Sequence, residues 1–484
     1  MAHGEERTIV VSNRGPVTFT RGESGEREYS RGAGGLVTAL NAVLRRAENA
    51  VWIASAQSEE DVAVAGEPAP YEVEDLRIRF VAHDPASYDL MYNQLANPLL
   101  WFVQHGLYDL PYSPALGDET RKAWEEGYIP VNSNFADAVL ETAADEGSPT
   151  ILLHDYQLYM TPLFVRERLG GGAFISLFVH IPWPEPDLWR VLPHYVREGV
   201  LESLLSADIV AFHTNRYARA FAETAADVLG AEADVEGGVI RHRGREVWVR
   251  AYPISIDPTE FEVLAQGEDV LEQERFVKDL PGRLLLRVDR TDLSKNVLRG
   301  FLAYGRMLER HPEMKGEVTF LAQLQPSRTD VPEYAAYMEA VGRTAEEVNA
   351  EHGAGSWRPI ELFMEDNFPR SVAAYKNFDV LLVNAVRDGM NLVAKEAVVI
   401  NEKNGVLVLS ENAGAHEELG EHALTVNPYD IDEQADAIHT ALTMPEAERT
   451  RRAKALRETV RSNTIEDWVE AQIEDIEACR ERRK

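Results

Sequence analysis

The stretch Asp379-Val-Leu-Leu-Val-Asn-Ala-Val-Arg-Asp388-Gly-Met-Asn-Leu-Val-Ala-Lys-Glu396 decides the fold. Its first half is a short, continuous apolar run, and its second half has the spacing of a helix. Between them lie Asp388, Gly389, Met390 and Asn391, a strand-to-helix turn. Similar apolar runs recur at 8–13, 150–155, 174–181, 208–214, 318–324 and 406–411, with 20 or more residues between most of them. Strands buried on both faces and joined by helices read this way, so the chain is expected to be α/β with doubly wound parallel sheets.

The 484 residues exceed what one core organises, which implies two domains. The series breaks at RAYPISIDP (250–258), where two prolines end a strand-like segment. The expected division is 1–250, 251–460 and a terminal helical segment, 461–484. In that segment Ile465, Trp468, Val469, Ile473 and Ile476 fall near one face and imply packing, with a solvated tail only at the last few residues.

A net charge of −32, from 81 acidic against 49 basic residues, disfavours nucleic acid and anionic membranes as partners. It also makes basic residues inside motifs informative, because a phosphate site must gather Arg and Lys against that field. The single cysteine, Cys479, excludes an intrachain disulfide and a Cys-rich metal cluster. No apolar run reaches ~20 residues and the N-terminal stretch lacks a signal-peptide pattern, so a cytoplasmic protein is expected.

Most of the candidate site residues follow an apolar run, and one glycine turn opens a helical pattern after a polar stretch. Asp388 to Asn391 lie where a helix start offers backbone N–H groups to an anion, and Glu396, two turns into the expected helix, suits ribose hydroxyls. RVDRTDLSKN (287–296) adds Arg290 and Lys295, two cations able to stabilise a departing diphosphate without a metal. HDYQL (154–158) and VHIPWP (179–184) bring Asp155 and His180 to strand ends. SNRG (12–15) supplies Arg14, and RGAGGL (31–36) supplies a glycine turn at Gly34 and Gly35. Neither a nucleotide-binding glycine fingerprint nor a zinc spacing is present, so no cofactor and no metal are expected.

Together VVSNRGP, YNQLANPLLW, LLHDYQL, FVHIPWP, YPISIDP, DRTDLSKN, QPSRTDV, VRDGMNLVAKE, LVLSENAGAHEEL and VNPYD resemble the trehalose-6-phosphate synthase family, in order and over nearly the whole chain. The resemblance implies a GT-B fold, two Rossmann-like domains facing a cleft, with an N-terminal acceptor domain and a C-terminal donor domain. It implies a retaining glucosyltransferase that moves glucose from a nucleotide-glucose, as co-substrate, to glucose 6-phosphate. It assigns acceptor binding to Arg14, Tyr92, Trp101 and Arg328, with Asp155 near the reacting sugars. Arg290 and Lys295 go to the diphosphate, and His180, Asp388, Gly389, Met390, Asn391 and Leu392 to the donor glucose. Glu396 goes to the ribose, Gly34 and Gly35 to a phosphate-closing loop, and Asn367 and Phe368 to the nucleobase side. A homo-oligomer stays open.

Departures from the family pattern are His213, Asp289 and FMEDNFPRS (363–371). In the last, Glu365 and Asp366 offer carboxylates to the paired N–H donors of a guanine, so GDP-glucose is favoured slightly over UDP-glucose. The alternatives are a validoxylamine-phosphate type pseudo-glycosyltransferase, which departs from the RDGMN motif kept here, and a non-catalytic sugar-phosphate sensor.

Overall fold

A computed structural model describes residues 7–22, 25–32, 35–46, 49–144 and 148–483. They form two compact units, one of residues 1–252 with 469–484 and the other of 253–468. The second division falls inside the helix Ile465–Arg483, not at residue 461.

The strands of unit 1 are β1 (Thr8–Ser12), β2 (Val17–Arg21), β3 (Arg27–Arg31), β4 (Val51–Ser55), β5 (Tyr71–Val73), β6 (Leu76–Val81), β7 (Thr150–His154), β8 (Phe174–Phe178), β9 (Ile209–Phe212), β10 (Glu232–Asp234), β11 (Val239–His242) and β12 (Arg245–Ala251). All but the β2–β3 hairpin join one sheet in the order β10-β11-β12-β9-β8-β7-β1-β4-β6-β5. From β12 to β6 the pairing is parallel, and antiparallel strands finish both edges. The chain builds outward from β1 through β4 to β6, then returns to lay β7, β8 and β9 on the other side. β1 and β7 therefore flank a topological switch point, where crossovers diverge and leave a crevice at the carboxyl ends of the strands.

Unit 2 repeats the scheme with β13 (Arg283–Arg290), β14 (Val318–Gln325), β15 (Ile360–Met364), β16 (Val380–Val383), β17 (Val406–Ser410) and β18 (Leu424–Val426). The order β15-β14-β13-β16-β17-β18, all parallel, puts its switch point between β13 and β16. Every residue of Val380–Val383 is buried, as a strand covered on both faces requires. Leu285, Phe320, Val380 and Val408 share one core with Phe301, Met307, Ile438 and Leu442 from the covering helices.

The helix Ile465–Arg483 begins in unit 2 and ends in unit 1. Trp468, Val469 and Cys479 are buried, whereas Ile473, placed on the packing face by its spacing, is 36% exposed. The last described residues, 481–483, are exposed as expected, yet they remain helical and the segment is tied to unit 1. Asp475 accepts hydrogen bonds from Arg250 Nε and the Tyr252 hydroxyl, and Arg480 donates to Thr150 Oγ1 at 2.8 Å. Arg482 pairs with Glu246 and Arg483 with the buried Asp208.

Candidate active site

The unit 1 switch point gathers Arg14, Asp155 and His180. Ser12 pairs in register with His154, and His154 with Phe178, so the loops after β1, β7 and β8 leave the sheet side by side. Arg14 Nη2 lies 3.4 Å from the Tyr92 hydroxyl, and Tyr92 stacks on Tyr88 with ring centroids 5.8 Å apart. Tyr92 and Trp101 both sit on the wide π-helical turn Leu90–Trp101, which carries Pro98 inside it. Trp101 is buried and stacks on His105 at 4.0 Å. Gly34 lies outside the described residues, and Gly35 begins the helix Gly35–Arg46.

Asp155 has φ 77° and ψ 173°, a region that glycine enters and other residues pay about 1–3 kcal/mol to occupy. That conformation lets its backbone N–H reach the Phe178 carbonyl at 2.8 Å while its carboxylate accepts from the His180 N–H at 3.2 Å. Asp155 thus ties the β7 and β8 loops together at a cost the surrounding packing must offset.

Beside it, His154 Nδ1 and His180 Nε2 stand 3.0 Å apart, and His213 packs edge-on to His180 with centroids 5.0 Å apart. Burial pushes His154 down to about 3 and His180 well below its ordinary value, so both rings stay neutral at physiological pH. One nitrogen of the 3.0 Å pair must then donate and the other accept. His154 Nε2 is buried with no hydrogen-bond partner. A buried unpaired N–H is the rarer and costlier orphan, so that nitrogen is the bare one. The proton of His154 therefore sits on Nδ1 and is donated to His180 Nε2, which fixes the proton of His180 on its own Nδ1.

Unit 2 differs in kind, because its switch point is filled with buried charge. Arg287, fully buried on β13, donates from Nε to Asp289 at 3.0 Å and from Nη1 to Asn384 at 2.8 Å. Lys295, in the turn after β13, donates to Asp388 Oδ2 at 2.6 Å and lies 3.6 Å from Asp289. Burial alone would discharge Lys295, but Asp388 and Asp289 outweigh it and its affinity for the proton is raised, so it is a fixed cation. A fully buried carboxylate, Asp292, lies 2.9 Å from Arg328 Nη1 and 3.7 Å from Arg290 Nη2. It thereby sets the two arginines around one anchor. Arg328 holds a positive φ of 48° and also contacts the Tyr334 hydroxyl.

Asp388 is held from both sides. Its N–H donates to Asn412 O at 3.1 Å, and Gly414 N and Ala415 N donate to Asp388 O and Met390 O. A Cβ on Gly414 would stand 2.0 Å from Gly389 O, so only glycine permits this approach. Asn391, with φ 80°, donates from Nδ2 to Asp388 Oδ2 at 3.0 Å and caps Ala394 N. The helix beyond starts at Val393, with Leu392 as its cap, so Glu396 sits in its first turn, not two turns in. Burial pushes Glu396 up to about 7, against the pull of the Tyr375 hydroxyl, 3.3 Å away, and of Lys295.

Asn367 caps the helix Phe368–Asn377 through Arg370 N at 2.9 Å, and the Phe368 ring is half exposed at its start. Glu365, read from sequence as a base-recognising carboxylate, is paired with Arg370 at 2.7 Å. Arg287, Asp292, Asn384, Tyr334, Tyr375 and His105 were not singled out in the sequence. Only the alternation Arg287, Asp289, Arg290, Asp292 hints at the network they build.

Residues 6–478 match the model of glycosyltransferase family 20. The chain belongs to that family. The trehalose-6-phosphate synthase resemblance therefore holds along the chain, and this glycosyltransferase is a hexosyl-transferring enzyme with the GT-B fold. It is 32% identical over 98% of its length to the UDP-forming α,α-trehalose-phosphate synthase of Schizosaccharomyces pombe, of which 91% is covered. It is 33% identical over 97% of its length to validamine 7-phosphate valienyltransferase of Streptomyces hygroscopicus subsp. jinggangensis, of which 94% is covered. A solved UDP-forming α,α-trehalose-phosphate synthase from Burkholderia xenovorans, in complex with glucose 6-phosphate, superposes with a TM-score of 0.83 at 29% identity, covering 97% of this glycosyltransferase and all of that chain. Among the described residues of the glycosyltransferase, no helix is long and apolar enough to cross a membrane.

Proposed function

We propose that this glycosyltransferase moves glucose from UDP-glucose to glucose 6-phosphate and releases α,α-trehalose 6-phosphate and UDP, with no metal in the transfer step. The observation that carries the reading is Lys295. It is a buried, permanently charged lysine held at 2.6 Å by Asp388 at the switch point of unit 2. A cation so placed neutralises the charge that develops on a departing diphosphate, and Arg290 adds a second.

On unit 1, Arg14, Tyr92 and Trp101 would bind the acceptor, with Asp155 near the reacting sugars; on unit 2, Arg328 would be a cation for the acceptor phosphate. On unit 1, His180, donating from Nδ1, would orient a hydroxyl of the donor glucose; on unit 2, Asp388 and residues 389–392 would be its donor-sugar contacts. Glu396 would accept from the ribose, and Asn367 and Phe368 would border the base. With Asp388 already bonded to Lys295 and Asn391, the scheme gives it an orienting role and no covalent one. Retention would follow from a front-face substitution, in which the C1–O bond to phosphate breaks, the acceptor oxygen bonds to C1 from the same side, and the departing phosphate takes the acceptor's proton.

The GDP-glucose preference expected from Glu365 and Asp366 draws no support. Glu365 is engaged by Arg370, and the synthases compared above are UDP-forming. A second reading, coupling of pseudo-sugars, has the 33% identity to the valienyltransferase in its favour. Retention of Arg387 to Asn391 speaks against it.

Initial rates with UDP-, GDP- and ADP-glucose at matched concentration, with glucose 6-phosphate as acceptor and NMR of the product, test the proposal. UDP-glucose should lead by tenfold or more and the linkage should be α,α-1,1. A faster GDP-glucose reaction, a β linkage, or no glucosyl transfer at all would each overturn part of it.

A further inference from the structure

The helix Val297–Arg310 leaves the turn that carries Lys295 and runs back along the sheet for 14 residues, about 21 Å. It ends at His311, shortly before β14 begins at Val318, and therefore at the edge of unit 2 opposite Arg290, Lys295 and Asp388. There its last turn meets the helix Ile431–Thr443, whose Leu442 carbonyl accepts from Arg283 at the start of β13.

At this rim the rings of His311 and His439 lie face to face, centroids 3.5 Å apart and planes within 6°. Glu313 Oε1 is 3.2 Å from His311 Nδ1, and one donor atom from each of His311, Glu313 and His439 lies within 4.8 Å of the other two. Packing does not call for the pair, since Phe301, Met307, Leu308, Ile438 and Leu442 already fill the core beneath. Nor does the pair belong to the active site. The surrounding charge favours a cation. Arg306 and Arg310 are bound up in salt bridges with Glu309, Asp432 and Asp436, and Glu313 adds a further carboxylate, paired with His311.

We propose that His311, Glu313 and His439 form a binding site for a divalent transition metal of the zinc type, which ties the two helices together at the edge of unit 2. In a tetrahedral zinc site with ligands at about 2.1 Å, neighbouring donor atoms stand roughly 3.4 Å apart. The His311–Glu313 pair already has that spacing. The two stacked rings are nearly parallel and their in-plane lone pairs do not converge as they stand, so binding requires the partly exposed His439 ring to turn toward His311 and Glu313 as the remaining gap closes. Two imidazoles and one carboxylate suit Zn²⁺, Ni²⁺ or Cu²⁺, whereas Mg²⁺ and Ca²⁺ prefer all-oxygen sites. Water would fill the fourth position.

The test is calorimetric titration of ZnCl₂ into tag-free, EDTA-dialysed protein, with the Tm followed in parallel. One saturable site and a raised Tm are expected, with no response to MgCl₂. His311→Ala and His439→Ala should each weaken binding at least tenfold, and both variants and the metal-stripped wild type should keep the transfer rate. Zinc binding as tight in the His311→Ala/His439→Ala double variant as in the wild type, or no saturable binding at all, would sink the proposal. Because the primary readout is heat and Tm, failure of the proposed sugar transfer would leave this test intact.

Discussion

The two switch points share a backbone plan and differ in what they bury. In unit 1 the crevice between β1 and β7 is lined by the neutral imidazoles of His154 and His180 and by the strained Asp155, with Arg14 near the surface. In unit 2 the crevice between β13 and β16 contains Arg287, Asp289, Asp292, Lys295 and Asp388 in buried ion pairs. Burying charge is costly unless each ion is paired, and here every one of these carboxylates has a cation within 4 Å. The lesson is a division of labour within one fold. The neutral side sets the direction of hydrogen bonds, and the charged side holds electrostatic potential ready for an anion.

The comparison breaks most readily at the cations. Arg290→Ala should lower turnover at least a hundredfold with an unchanged circular dichroism spectrum, since its side chain is nearly half exposed. Lys295→Ala should match that loss and also destabilise the fold, because it leaves Asp388 and Asp289 without their lysine, by about 3–5 kcal/mol as for other broken buried pairs. Near-normal turnover in both variants would remove unit 2 from the chemistry.

On the neutral side the effect is smaller. His154→Phe removes the donor that fixes the tautomer of His180, and losing one such hydrogen bond should cost roughly tenfold in kcat while KM for the sugar phosphate holds. His154→Asn, whose amide N–H stands in for Nδ1–H, should recover most of it. Equal losses in the two variants, or none in either, would show that the tautomer does not matter.

The smallest effect is one of pH. Glu396 is pushed up to about 7 from an ordinary value of 4.5, so the folded protein keeps a proton that the unfolded chain has released. This contribution is fully present below about pH 4.5 and is lost as pH rises through 7, a difference on the order of 3 kcal/mol. The wild type should therefore lose more thermal stability between pH 5 and 8 than Glu396→Gln. Donor KM should fall by up to about tenfold from pH 6 to pH 8 as the carboxylate forms, and a flat profile would argue against a ribose contact.

What the sequence disclosed follows the same division. Runs such as Val380–Val383 are apolar on both faces and announce parallel strands, and the motifs after them carry Arg290, Lys295 and Asp388 in plain view. Asp292 was in view too, but its role depends on bringing Arg328 to Arg290, a tertiary fact with no local signature. The strain at Asp155 and the wide turn bearing Tyr92 and Trp101 are likewise products of packing. Helix spacing also misled in two places. The helix before Glu396 starts later than its pattern suggests, and the single stripe read along Ile465–Arg483 includes Ile473 but misses Cys479, which is buried.

That last helix also bears on the order in which the protein is made. Unit 1 needs Val469–Arg483, yet the ribosome synthesises all of 253–468 first. At 5–20 residues per second, the interval is roughly 10–40 s. Through that time the nascent N-terminal sheet waits without Asp475 on Arg250 and Tyr252, Arg480 on Thr150 and Arg483 on Asp208. Arg166 and Arg245 hold Asp208 meanwhile, so the sheet can form early and be locked late.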